Sequence, residues 1–214
     1  LHRISDLKFT DPLPSNLNII DIHLDKKGRL WLATYGRGLY LIDFDQNKIS
    51  HFRANKNNPR ALHYNDILCI YEDNNGTLWF GTDGGGISFY DEYLEKFNSF
   101  TNYQTPEGIN IDVVRSITTD KQGSIWIGTS GKGLTKYEPE NNSWQTFTAG
   151  GIDENGISSN RIMSLLLDDE DDLWIGTQED GLIIRDAIGD FIQFKETSKI
   201  QLSANKVWDN FKEN

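Results

Sequence analysis

Four tryptophans, Trp31, Trp79, Trp126 and Trp174, stand 48, 47 and 48 residues apart in a chain of 214. Around them the chain reads DKKGRLWLATYGRGL, DNNGTLWFGTDGGGI, DKQGSIWIGTSGKGL and DDEDDLWIGTQEDGL. An Asp (Asp25, Asp73, Asp120, Asp168) stands six residues before each Trp, and a Thr (Thr34, Thr82, Thr129, Thr177) three after it. A Gly (Gly38, Gly86, Gly133, Gly181) stands seven after it. A register held at four positions through four copies means one supersecondary unit used four times.

Each copy parses into four short strands. A run of about six comes first: IIDIHL, ILCIYE, VRSITT or IMSLLL. An Asp-x-x-Gly turn follows, in which Asp bonds its own backbone and Gly takes positive φ. In the last copy Asp171 stands for that Gly, and Asp tolerates the left-handed region better than most residues. LWLAT, LWFGT, IWIGT and LWIGT give the second strand. After the Gly-rich turn come LYLID, ISFYD, LTKYE and LIIRD, then KISHF, KFNSF, SWQTF and DFIQF. Helical periodicity is absent, and continuous apolar runs such as Leu165-Leu166-Leu167 fit sheets buried on both faces.

A period near 48 with four strands per unit is that of a β-propeller blade. The expected fold is all-β, with four complete four-stranded blades at residues 18–64, 65–111, 112–159 and 160–204. Residues 1–17 read as the outer strand of a preceding blade and a loop, Phe9 matching Phe52, Phe100 and Phe147. Residues 205–214 read as the first strand of a further blade. The chain thus reads as part of a larger propeller, of about seven blades, with a closed four-blade ring as the alternative. Open blade edges would pair with another copy, giving a homodimer, unless further chain covers them.

The run GTLWFGTDGGGI invites a phosphate-loop reading, but the repeat gives its glycines structural work. Gly84, Gly85 and Gly86 turn the chain between strands, Gly81 allows close approach, and Trp79 is a plate between blades. A phosphate loop needs Gly, four residues, Gly-Lys and Ser/Thr before a helix. Around Gly131-Lys132 the upstream Gly is Trp126 and the next residue is Gly133.

The net charge of −11 argues against nucleic acid and anionic membrane as partners. It suits neutral ligands or cations, and it also serves solubility. Aromatic residues make up 12% of the chain, too many for a disordered one. Cys69 is the only cysteine and reads as a small buried residue, so no internal disulfide forms.

Asp-x-x-Gly-x-Leu-Trp-Ile-Gly-Thr-x-x-Gly-Gly-Leu resembles the two-component regulator propeller repeat, over about residues 18–200. Ala33, Asp171 and the Glu179-Asp180 pair depart from the pattern, all at turns or small-residue positions. The resemblance implies the periplasmic sensor region of a membrane-bound regulator, often a hybrid histidine kinase. There the propellers precede a β-sandwich, a transmembrane helix and kinase parts. None of those downstream motifs is in this sequence, so the signalling role rests on the resemblance.

Propeller geometry gathers the second-to-third-strand turns and the inter-blade loops on one face, and the Asp-x-x-Gly hairpins on the other. The turn face is expected to collect Tyr35, Arg37, His63, Tyr64, Asp83, Tyr103, Lys132, Glu179 and Asp180. Aromatic rings with mixed polar groups suit an oligosaccharide or another polar ligand. Arg37, Lys132 and Asp180 share one repeat position, where Gly85 stands in the second copy. Variation on a fixed frame marks where function is grafted.

No metal or other cofactor is expected. His2, His23, His51 and His63 lack zinc spacing. The acidic run Asp168–Asp172 lacks calcium-loop spacing and reads as a solvated turn. No nucleophile elbow is present, so the expected role is non-catalytic. A structural or protein-interaction propeller is the alternative, and a propeller lyase or glycosidase a further one.

Overall fold

The computed structural model describes residues 13–58, 60–93, 96–150, 156–194 and 204–208. The expected strand at Phe9 lies outside them. Among the described residues sixteen strands form four four-stranded antiparallel sheets. The first holds β1 (Ile19–Leu24), β2 (Leu30–Thr34), β3 (Gly38–Asp43) and β4 (Lys48–Phe52). The second holds β5 (Ile67–Glu72), β6 (Leu78–Thr82), β7 (Ile87–Asp91) and β8 (Lys96–Phe100). The third holds β9 (Val114–Thr119), β10 (Ile125–Thr129), β11 (Leu134–Glu138) and β12 (Ser143–Phe147). The fourth holds β13 (Ile162–Leu167), β14 (Leu173–Thr177), β15 (Leu182–Arg185) and β16 (Phe191–Phe194). Strand order in each sheet is sequence order, as in a propeller blade. Among the described residues no helix is long and apolar enough to cross a membrane.

Two compact units are present, Leu1–Ser99 and Phe100–Asn214. In the first, β5 packs against β1 and β2; in the second, β13 packs against β9 and β10. The first core gathers Trp31, Leu39, Leu62, Ile67, Leu78, Phe80 and Phe97 around the fully buried Trp31. The second gathers Trp126, Leu134, Ile157, Ile162, Leu173, Ile175 and Ile183. Trp31 and Trp126 are thus wedges between adjacent blades. Each buries a large ring where flat sheets splay apart. Trp79, for which that role was expected, is buried but belongs to neither of these two cores, its ring 5.0 Å from Phe89.

The recurring Asp does more than shape a turn. Asp25 Oδ1 accepts the amides of Lys27 (3.0 Å) and Arg29 (2.8 Å), and its Oδ2 accepts the Trp31 indole N–H at 3.0 Å. Trp79, Trp126 and Trp174 donate likewise to Asp73, Asp120 and Asp168, at 3.1, 3.0 and 2.7 Å. A buried indole N–H needs a partner, and a buried carboxylate needs donors. The six-residue spacing supplies both inside one hairpin. Gly28 sits at φ 76° and Asp171, in the matching place, at φ 73°.

The inner strand of every blade carries a register shift: Ile19/Asp21, Ile67/Cys69, Gly128/Thr129 (opposite β9) and Ile162/Ser164. A bulge of this kind adds a residue and twists the strand. It sets Asp21 opposite Ala33 and Ser116 opposite Gly128. A Cβ on Gly128 would meet Ser116 Oγ and lie 2.6 Å from Ile162 Cγ2, so close approach is real there. Ala33 fits because the Asp21 carboxylate reaches away, to the Ile70 amide at 2.8 Å.

Residues 205–208 differ from the expected strand. They carry no regular strand, yet Gly181 N–H donates to Asn205 O at 2.8 Å and Val207 N–H to Thr177 O at 2.9 Å. Positions 209–214 lie outside the described residues.

Candidate functional site

The turn face is built by one local device. In each blade the Thr hydroxyl donates to the carbonyl of the Gly four residues on, at 2.7–2.8 Å. The same oxygen accepts the amide of Gly85, Lys132 or Asp180. Gly36, Gly38, Gly84, Gly86, Gly131, Gly133 and Gly181 all take positive φ in these turns. The next residue after the Thr is tied to the residue just before its own inner strand: Tyr35 N–H donates to Asn18 O, Asp83 N–H to Asp66 O and Ser130 N–H to Val113 O.

Three of the expected residues come together in the first unit. Tyr35, 46% exposed, donates its phenol O–H to Asp83 Oδ2 at 3.1 Å. Tyr64 lays its ring against the next turn, where a Cβ on Gly85 would sit 2.5 Å from Tyr64 Cβ. That contact, rather than a phosphate, is why the second copy has Gly where the others have Arg37, Lys132 and Asp180. The hydrogen bond from Tyr35 to Asp83, the Asp83 charge and then the Asp66 charge hold the Tyr35 phenol above its ordinary pKa. The result is a patch of two exposed rings flanked by two carboxylates.

Arg37 and His63 are exposed beside this patch. The carbonyl of Arg37 is bonded to His51 Nε2 at 2.7 Å, and His51 stacks on Tyr40 at 4.0 Å. The remaining expected residues lie in the second unit on separate loops. Tyr103 is 99% exposed, Lys132 is exposed, and Glu179 pairs with Arg161 at 3.2 Å. The carbonyl of Asp180 accepts from Gln193 Nε2 at 3.0 Å.

Asp66 escaped sequence reasoning. Its repeat position holds Asn18, Asp66, Val113 and Arg161, and what recurs there is a main-chain carbonyl, which leaves no side-chain signal. The neighbouring Asn65 and Asn160 recur with their side chains as well. Each accepts a turn glycine amide (Gly38, Gly133) on its carbonyl, and on Oδ1 the amide of Ala54 or Ala149 at 2.8 Å. They clasp the outer strand of one blade to the entry of the next.

The acidic run is occupied by its own hairpin. Asp168 Oδ1 accepts the amides of Glu170 and Asp172, and Asp172 Oδ1 that of Ala187 at 3.0 Å. Among the described residues no group of three or more His, Cys, Asp or Glu is arranged to hold a metal ion.

The two component regulator propeller pattern matches residues 12–36, 61–84, 108–131 and 156–179. No curated protein matches the chain. The extracellular domain of a one component system from B. thetaiotaomicron is similar, with a TM-score of 0.73 at 23% identity over 95% of this chain and 26% of that one. The extracellular domain of a hybrid two component system from B. thetaiotaomicron gives 0.62 at 20% identity, over 97% and 32%. Virginiamycin B lyase from Staphylococcus aureus gives 0.61 at 14% identity, over 86% and 59%. At these identities the likeness is one of fold. The chain spans about a quarter to a third of the two extracellular domains.

Proposed function

From a chain built on four two component regulator propeller repeats we propose a non-catalytic, periplasmic sensor propeller that binds a polar ligand, such as an oligosaccharide, and relays it to attached signalling domains. The observation that carries the ligand reading is the Tyr35–Asp83 hydrogen bond beside the Tyr64 ring on the turn face. Two ring faces cover the apolar side of a sugar, and the carboxylates of Asp66 and Asp83 accept its hydroxyls. Fold likeness to extracellular domains of one and two component systems supports the compartment and the signalling context.

The exposed inner strand of the first blade supports attachment to further blades. Ile22 and Leu24 are each 62% exposed on β1, whereas the matching positions on β5 and β9 are half-buried or buried. Further blades of the parent protein would cover this edge, and a second copy would do so in the isolated chain.

Calorimetric titration of an oligosaccharide panel tests the ligand reading. A binding component that falls at least tenfold in Tyr35→Phe and Asp83→Asn supports it, and the lack of any component sensitive to both removes it.

A further inference from the structure

A second recess in the first unit lies on the other face, among the Asp-x-x-Gly hairpins. A cavity of about 450 Å³ opens between the hairpins of the first two blades. Its walls include Lys27, Arg29, Phe89, Tyr90, Glu92 and Tyr93. Lys26 also lines it and ties the two hairpins together: Lys26 Nζ donates to the carbonyls of Asp73 at 2.6 Å and Asn74 at 3.1 Å. The Lys26 amide donates to Glu72 at 3.0 Å. These bonds fix the two hairpins at the spacing that leaves the recess.

The chemistry of the walls is balanced. Arg29 donates through Nε to Asp25 at 2.8 Å and through Nη1 to Glu92 Oε1 at 2.7 Å. Lys27 Nζ pairs with Glu92 Oε2. An anionic ligand would compete with Glu92 for both cations, and a cationic one would compete with the cations for Glu92. A hydroxyl is donor and acceptor at once, so it joins such a pair without separating it. The rings of Phe89, Tyr90 and Tyr93 supply apolar faces for ring C–H groups, Tyr93 being fully exposed. We propose that this cavity is a binding site for a neutral saccharide, distinct from the turn-face patch.

The second unit supplies an internal control. The same place between its hairpins holds a cavity of about 230 Å³. A shift of 95 residues converts Trp31 into Trp126, and the same shift turns Lys27 into Gln122 and Arg29 into Ser124. It turns Tyr90 into Arg185 and Glu92 into Ala187. Small-molecule sites occupy roughly 300–1,000 Å³, so the first cavity is in range and the second is below it. The fold therefore leaves a gap at this place, and the first unit alone widens it and lines it with rings and a shared carboxylate.

The test uses the whole 214-residue chain and a panel of neutral hexasaccharides (glucan, mannan, xylan and galactan series), with hexagalacturonate as the charged comparison. Binding is read by calorimetry, with thermal unfolding of each variant as the folding control. At least one neutral probe binds, and Glu92→Gln and Tyr93→Ala each weaken it at least tenfold. Tyr35→Phe and Asp83→Asn leave that binding within twofold. No binding by any neutral probe, tighter binding of hexagalacturonate, or unchanged affinity in either Glu92→Gln or Tyr93→Ala overturns the site. Binding lost only in the Tyr35 and Asp83 variants overturns it too, while supporting the turn-face reading.

Discussion

In the first unit Trp31 is surrounded by rings, with Phe52, Phe80 and Tyr90 centred 5.8, 5.5 and 5.5 Å away. In the second, Trp126 keeps its stack on Phe147 at 5.9 Å, but two cations lie over it. Lys136 Nζ is 5.5 Å and the Arg185 guanidinium 5.1 Å from the ring. Arg185 replaces Tyr90, and Lys136 replaces Leu41, at matching repeat positions. Each indole donates to the Asp six residues before it, Asp25 or Asp120, at 3.0 Å. The repeat therefore fixes the wedge and its polar tether, and leaves the packing around it open to change. Either an aromatic ring or a flat guanidinium covers an indole face, the latter by cation–π attraction. The first choice leaves room for a widened recess; the second comes with a cavity half the size.

The largest expected effect breaks the wedges themselves. Trp31→Ala and Trp126→Ala each cost about 3–5 kcal/mol in their own unit, read by native-state hydrogen exchange at β5–β6 and β13–β14. Loss of protection in both units from either single substitution would contradict separate wedges.

Close packing beneath the wedges comes next. Ala33 and Gly128 share a repeat position, but Ser116 Oγ stands where an alanine methyl would go in the second unit. Gly128→Ala is expected to cost about 1–3 kcal/mol, and Ala33→Gly about 1 kcal/mol, both by chemical denaturation. Adding Ser116→Gly should restore part of the Gly128→Ala loss.

Charge over the second indole is a smaller term. Arg185→Ala should cost about 0.5–2 kcal/mol. Arg185→Tyr, which writes the first unit's residue into the second, should recover part of it in the same denaturation assay. If Arg185→Ala is neutral, the cation contributes only shape.

Acid should separate the units further. Burial would raise the carboxyls of Asp25 and Glu92, but hydrogen bonds from Trp31 and Arg29 to Asp25, and from Lys27 and Arg29 to Glu92, hold both below their ordinary values. Folded pKa values are thus lower than unfolded ones. The stabilisation is complete above the ordinary carboxylate range near about 4 and is lost as pH falls through the folded values. In Glu92→Gln this acid-side loss in the first unit should be shallower, as measured by thermal unfolding between neutral and acid pH. The smallest expected change is at Tyr35: Asp83→Asn should return its phenol toward the ordinary pKa in ultraviolet titration, because the raised value comes first from the Asp83 hydrogen bond.

Strand positions were legible because each hairpin is a local object. The residues of β1, β5, β9 and β13 and of the four Trp strands coincide with the runs read from sequence; β15 and β16 are shorter by one residue, ending at Arg185 and starting at Phe191. The candidate patch was partly legible. Tyr35, Tyr64 and Asp83 were readable as residues of the turn face, whereas Asp66 stands at a position that recurs only through its carbonyl. The hairpin-face cavity was not legible at all, since its walls pair Arg29 with Glu92 across two blades.

The sequence by itself determined the blade. Asp to Trp at six residues, Thr to Gly at four and Asp to the turn amides at two and four are contacts within one hairpin, so the pattern that encodes them is short and visible in every copy. Only the tertiary structure decided which side chains of neighbouring blades meet: Tyr35 with Asp83, Lys26 with the Asp73 carbonyl, Asp21 with the Ile70 amide. Those partners lie 47–49 residues apart. Their meeting depends on the spacing and twist of packed sheets, which the wedge residues set collectively and no local motif records.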